Sequence, residues 1–170
     1  MAEICAGAVK KTAILFERYQ MKLYNYFIYL SGNKELSEDL VQNTFLRVLK
    51  YRNSFQESYE FKNWLFGIAR NQFYSHIEKN KTSSIDSLEE VLATENEGEK
   101  RIQQTQQQQL LTQLLYHLSD NEREIIVMNK IQGITYDDIA QIMDENLNTI
   151  KARSRRALKK LQSIYTQNPA

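Results

Sequence analysis

TYDDIAQIMDENLNTIKARSRRALKK, residues 135–160, decides the fold class. Thr135 ahead of Asp137 and Asp138 reads as a helix start. The hydroxyl can hold an orphan amide, and the acids sit beside the positive end of the helix dipole. A short helix runs to about Met143, and a tight turn follows over 144–147. A last helix, capped by Asn146, reaches about Tyr165. Short helix, tight turn, longer helix is the order of a helix-turn-helix unit. Ile139, Met143, Leu147 and Ile150 are spaced to fill the wedge between the two helices, and Ala140 is small where they cross.

The last helix is one-sided in charge. Residues 149–160 hold six basic side chains and no acidic one. Wound at about 100° per residue, Lys151, Arg155, Lys159 and Arg156 share one face, with Lys160 and Arg153 at its margin. Ile150, Ala157, Leu161 and Ile164 lie on the other. Ala152 falls inside the basic arc, where a small side chain lets the helix approach base edges. Thr149, in the first turn, can hold a phosphate together with the helix-end amides. A basic run alone reads as a solvated face. Behind a short helix and turn, it points to duplex DNA and the major groove.

Working outward, Ser119-Asp120-Asn121-Glu122 is a capping box that opens a helix over 120–132, closed by Gly133. Upstream, a Gln-rich segment carries an apolar stripe of Ile102, Leu110, Leu111, Leu114, Leu115 and Leu118, so it too reads as helix. The N-terminal half reads as three longer helices over about 8–30, 34–52 and 61–79. Gly32 ends the first, and Asn33 or Ser37 caps the second. The third carries Trp64, Leu65, Ile68, Ala69, Phe73 and Ile77 at helical spacing. The expected fold is therefore all-α. Two small helical domains, 1–81 and 100–170, are joined by a flexible acidic linker over 82–99.

Composition agrees. Five Gly and one Pro occur in 170 residues, against roughly 20 of the two together in an average chain. Sandwiches and doubly wound sheets are disfavoured accordingly. Taken alone, the net charge of +1 argues against a nucleic-acid partner, but it sums unlike parts. Residues 1–81 carry 12 basic and 8 acidic side chains, 82–101 carry 2 and 6, and 102–170 carry 8 and 7. Cys5 has no partner for a disulfide or a zinc site, and no run of apolar residues is long enough to span a bilayer. The first residues lack the basic start and apolar core of a signal peptide, so the expected location is the cytoplasm. His76 and His117 lie in separate domains and no glycine-rich phosphate loop occurs. No enzyme activity, cofactor or metal is expected.

At this level of detail the chain resembles the small extracytoplasmic-function sigma factors of bacterial RNA polymerase, from about Phe16 to Gln162 apart from the linker. Three pieces carry the resemblance. SEDLVQNTF resembles region 2.2, FKNWLFGIARNQF regions 2.3 and 2.4, and LSDNEREIIVMNKIQGITYDDIAQIMDENLNTIKARSRRALKKL region 4.

The resemblance implies partners and roles. Core RNA polymerase would be bound by region 2.2, whose matched residues Asp39 and Gln42 meet the beta-prime clamp helices. Phe45 and Leu46 extend that helix, although core packing is the simpler role for Phe45. An unstacked base of the minus-ten element would be captured by the loop over 53–60, with Phe55 and Tyr59 as stacking groups, and by Asn71 and Arg70 on the next helix. Aromatic faces and amides suit that task. Region 4 would read the minus-35 element as duplex through Lys151, Ala152, Arg155 and Arg156. Thr149, Arg153 and Lys159 would lie nearer the phosphates. Leu118, Ile126, Met128 and Ile131 would offer a surface to the polymerase beta flap tip, some of them serving as core. An anti-sigma factor, or a different regulatory or DNA-targeting protein, is the implied further partner.

Three departures bear on promoter reading. The end of region 2.4 is weakly basic, with Glu78 among His76, Lys79 and Lys81. Asp144 and Glu145 occupy the turn where the family usually has Gly, so acids lie beside the recognition helix. No appended regulatory domain is recognisable. These features imply weak autonomous promoter reading and reliance on a partner for DNA targeting. Two other readings stay open on the residues: a stand-alone helix-turn-helix regulator, and a polymerase-docking protein that no longer reads DNA.

Overall fold

A computed structural model describes residues 12–56, 58–83 and 106–167, and all regular structure among them is helical. The N-terminal bundle comprises α1 (Thr12–Ser31), α2 (Lys34–Tyr51) with a short 3-10 turn (Arg52–Ser54), and α3 (Phe61–Ser83). The C-terminal bundle comprises α4 (Gln106–Tyr116), α5 (Asp120–Ile126), α6 (Tyr136–Met143) and α7 (Leu147–Gln167). The linker expected over 82–99 lies outside the described residues, apart from positions 82 and 83 at the end of α3.

Local signals place the helix ends. Gly32 stops α1 with φ of 65°, a conformation open to glycine at little cost. Asn33 then caps α2, its Oδ1 accepting the Leu36 amide at 2.9 Å. Ser37, the other candidate cap, is buried and donates to the Asn33 carbonyl at 2.6 Å. In the C-terminal bundle the Ser119 amide donates to Glu122 Oε2 at 3.3 Å, the reciprocal half of the capping box. Thr135 Oγ1 accepts the Asp138 amide at 3.2 Å.

One expectation needs correction. The helix over 120–132 is not a single α-helix, because Val127–Ile131 winds as a π-helix. The Gln132 amide reaches back to the Val127 carbonyl at 3.0 Å. A π segment confined to about one turn is too short to set a period of its own, so the apolar spacing does not reveal it.

In the N-terminal bundle α1 packs along α2, and α2 along α3. Leu23, Tyr26, Phe27, Val48, Leu65, Phe66 and Ala69 are wholly removed from solvent. In the C-terminal bundle α5 and α6 both pack on α7. There Ile125, Met128, Ile139 and Ile150 are shut away, and Ala140 and Met143 are buried where the helices cross.

The two bundles also pack on each other. α1 meets α5 and its π continuation, and α3 meets α6, giving one continuous apolar core across both. At the seam Gly32 approaches Tyr116 so closely that a Cβ there would stand 2.2 Å from the phenol oxygen.

Candidate nucleic-acid interface

The helix-turn-helix is built by the turn. Asp144 takes the left-handed conformation (φ 52°, ψ 48°). Its amide returns to the Gln141 carbonyl at 3.3 Å, and the Glu145 amide to the Ala140 carbonyl at 2.9 Å. This is a Schellman closure, made with Asp where Gly would cost less. Asn146 caps α7, its Oδ1 accepting the Asn148 amide at 2.8 Å. A hydrogen bond of 2.8 Å between Tyr136 Oη and Ser154 Oγ then ties α6 to α7.

Beyond that turn, α7 presents Lys151, Ala152, Arg155, Arg156 and Lys159 to solvent. None of the four cations has an ion-pair partner among the described residues. Thr149 is half-buried in the first turn. Two of the six basic residues are engaged elsewhere. Arg153 Nη1 donates to both carboxylate oxygens of Glu145, and Lys160 Nζ donates to Glu122 Oε2 at 2.7 Å. The Lys160 contact, assisted by Ser119, holds the Glu122 carboxyl below its ordinary pKa despite burial. Glu145 is thus a paired acid, and its repulsion of nearby phosphate is reduced. Arg153, for its part, is held toward the turn.

Asn148 was not singled out by charge, yet it is exposed on α7, one turn before Lys151 and Ala152. An amide at that place can make paired hydrogen bonds to an adenine edge. The signal was available in the helical spacing, which puts Asn148 between Arg155 and Lys159 on the basic arc.

The other expected groups are distributed unequally. On α2, Asp39, Gln42 and Leu46 are exposed on one side, Leu46 by 63%. Phe45 is buried and meets the ring of Phe16 edge-on at 4.9 Å, so it belongs to the core rather than to that face. Before α3, Tyr59 is 53% exposed. Phe55 instead packs edge-on against Trp64 at 5.3 Å and faces Phe61 at 6.1 Å. It is a member of an aromatic cluster and not a projecting stacking group. Asn71 is exposed on α3.

Arg70 points away from the surface that Asn71 occupies. Its Nε lies 3.3 Å from Oε1 of Glu124, a fully buried carboxylate in the other bundle, and its guanidinium rests over the Tyr74 ring at 4.8 Å. Tyr26 and Tyr74 donate to the two oxygens of the same carboxylate at 2.7 and 2.8 Å. Burial pushes the Glu124 carboxyl up from its ordinary pKa, against the pull of Arg70 and the two phenols. Both phenols are pushed up as well, by burial and by Glu124. Leu118, Ile126 and Met128 are buried, and only Ile131 of the expected flap-facing set is partly open. The apolar residues that do face solvent on the C-terminal bundle include Leu110, Leu111, Tyr116 and Leu158.

No described helix is long and apolar enough to cross a membrane. The chain matches sigma-70 region 2 over residues 15–82 and sigma-70 region 4 over residues 108–161. It is 32% identical over 139 residues to the ECF RNA polymerase sigma factor EcfG of Rhodopseudomonas palustris, covering 82% of this chain and 76% of that one. Similarity to the ECF sigma factor SigM of Bacillus subtilis is 28% over 156 residues, with 90% and 94% covered. Among solved structures, the sigma factor RpoE of Bartonella quintana, in complex with the anti-sigma factor NepR, superimposes with a TM-score of 0.79 at 29% identity. That match covers 92% of this chain and 98% of RpoE. Both sigma regions occur in order along one chain whose recognition helix keeps a solvent-facing basic arc, and the chain belongs to the sigma-70 family as an extracytoplasmic-function sigma factor.

Proposed function

We propose that this protein is a transcription initiation factor that binds core RNA polymerase and directs it to promoters. The observation that carries this reading is the α7 arc of Lys151, Arg155, Arg156 and Lys159. It is exposed and without ion-pair partners among the described residues, in a chain whose other half matches region 2. Asp39, Gln42 and Leu46 supply the polymerase contact on α2. Region 4 enters the major groove of the minus-35 element with the N-terminal half of α7 leading, so Asn148, Lys151 and Ala152 meet bases first. Arg155 and Arg156 continue that base-facing arc, and Lys159 lies nearer the phosphates, where it adds salt-dependent affinity. Tyr59 and Asn71 capture an unstacked minus-ten base, one by its ring face and one by its polar edge. No chemical step is assigned to the chain. Unstacking is offset by base capture, and an anti-sigma factor of the kind bound to RpoE is the proposed regulator.

Transcription from a promoter library by purified core polymerase, with and without the protein, tests this reading. Template-specific initiation that is lost with Asp39→Ala plus Gln42→Ala supports it. Duplex binding independent of polymerase points instead to a stand-alone regulator. Polymerase inhibition without initiation points to a docking protein that does not read DNA.

A further inference from the structure

The start of α7 holds two asparagines with different tasks. Asn146 is committed to the cap. Its Oδ1 accepts the Asn148 amide at 2.8 Å, and its carbonyl accepts the Ile150 amide at 3.1 Å. Asn148 is exposed, and its side chain makes no hydrogen bond to any other described residue. An exposed amide in a first turn is ordinary by itself. Its place among the cations is not.

Wound at about 100° per residue, Arg155, Lys159 and Ala152 lie within about 40° of Asn148. Lys151 stands about 60° to one side and Arg156 about 80° to the other. Asn148 therefore sits on the midline of the basic arc, at the end of the helix that leads into a major groove. Ile150 and Ser154 are buried behind it, and the Tyr136–Ser154 hydrogen bond holds α7 against α6. Packing thus fixes the direction in which this midline points.

Reach separates the groups on the arc. Lys and Arg side chains are long enough to bend outward to phosphates or inward to bases. Asn is short and meets only what lies directly before it. Ala152, one turn on, is small and exposed, so the first turns of α7 can approach a groove floor closely.

Hydrogen-bonding capacity narrows the choice of base. A carboxamide carries an acceptor and a donor side by side. Adenine presents the complementary pair in the major groove, its N6 amine and N7, whereas guanine presents two acceptors that suit Arg or Lys. The other uncharged polar groups of α7 are placed less well. Thr149 is half-buried, Ser154 is buried against Tyr136, and Gln162 and the residues after it are far down the helix. Four turns separate Gln162 from Asn148, about 21 Å along the axis.

Resting on the promoter-reading proposal above, we propose that Asn148 is a specificity-determining residue that selects adenine at one position of the minus-35 element. Its Nδ2 donates to N7 and its Oδ1 accepts from the N6 amine. The neighbouring cations supply affinity, and Asn148 supplies discrimination at that position.

A promoter library randomised across the minus-35 element, sorted by holoenzyme binding at several salt concentrations and sequenced, tests this. The unmodified protein should prefer adenine at one position by about 5- to 150-fold, the range of one paired contact. Asn148→Ala should bring that preference close to unity and leave the other positions and the salt slope unchanged, because no phosphate contact is lost. Asn148→Asp, which keeps only acceptors, should move the preference at that position from adenine to cytosine, whose N4 amine donates. Helical circular dichroism should be retained in both variants, since the side chain holds no other described residue. An adenine preference that survives in both variants overturns the assignment. So does an even loss of affinity over all sequences with a shallower salt slope, which would make Asn148 a phosphate contact. A holoenzyme of the unmodified protein with no minus-35 preference at all would instead remove the promoter-reading proposal on which the assignment rests.

Discussion

α7 and α3 are both expected to meet promoter DNA, yet their polar side chains are arranged oppositely. On α7, Lys151, Arg155, Arg156 and Lys159 project into solvent, and the paired residues, Arg153 and Lys160, bind acids of their own bundle. On α3, Lys62, Arg70 and Tyr74 are taken up by the other bundle, leaving Asn71 outside. The difference follows from charge density. Six cations within residues 149–160 of one helix cannot all find buried partners. Of the four Lys and Arg on α3, Lys62 and Arg70 find partners in the other bundle, one free carbonyl and one well-placed carboxylate. A recognition helix can thus be ready for DNA while the strand-capturing helix of the same molecule is engaged internally.

The largest expected effect would break the α7 side of this contrast. Lys151→Ala with Arg155→Ala should cost the holoenzyme about 2–6 kcal/mol of promoter affinity if both side chains reach bases. If they touch phosphates instead, the salt slope should become shallower by about two. A salt titration of promoter binding distinguishes the two cases, and no change in either quantity would remove α7 from the interface.

Gly32→Ala should come next. It places a Cβ at the seam against Tyr116 and forces a left-handed residue with a side chain, for about 1–3 kcal/mol of lost stability in urea denaturation. Adding Tyr116→Ala removes the steric part and leaves the backbone part, so the double variant measures how far the seam itself contributes.

Arg153→Ala sharpens the contrast within α7. Because Arg153 is paired with Glu145, its loss should cost less DNA affinity than the loss of Lys151. The stability change should be no more than about 1 kcal/mol, as for a partly exposed ion pair. Equal losses of affinity for the two variants would show that the Glu145 pair opens on DNA.

The smallest effect concerns acid stability. Lys160 and the Ser119 cap hold Glu122 below its ordinary value of 4.5 in the folded protein. The unfolded chain therefore binds the proton more readily. This contribution to stability is complete above the ordinary value and is lost as pH falls through the lowered one. Lys160→Ala should flatten that part of a stability-against-pH curve measured by thermal melting.

Legibility differed with the range of the interaction. Gly32, Asn33, Ser119, Thr135 and Asn146 mark helix ends through contacts within a few residues, and the structure uses all five. The left-handed Asp144 was readable for the same reason. Burial was less so. Phe45 lies next to the exposed Leu46 on α2, and only the packing of α1 decides which faces inward. Phe55 was a reasonable stacking group until Phe61 and Trp64 closed around it.

Helix content, the helix-turn-helix and its basic arc were determined by the sequence alone, because capping and helical spacing act over three to four residues. The fate of Arg70 was decided by tertiary structure. Its partner Glu124 and the two phenols that share it come from positions up to 98 residues apart. No local pattern relates Tyr26, Arg70, Tyr74 and Glu124. They meet because a buried carboxylate must be satisfied once two apolar faces have come together.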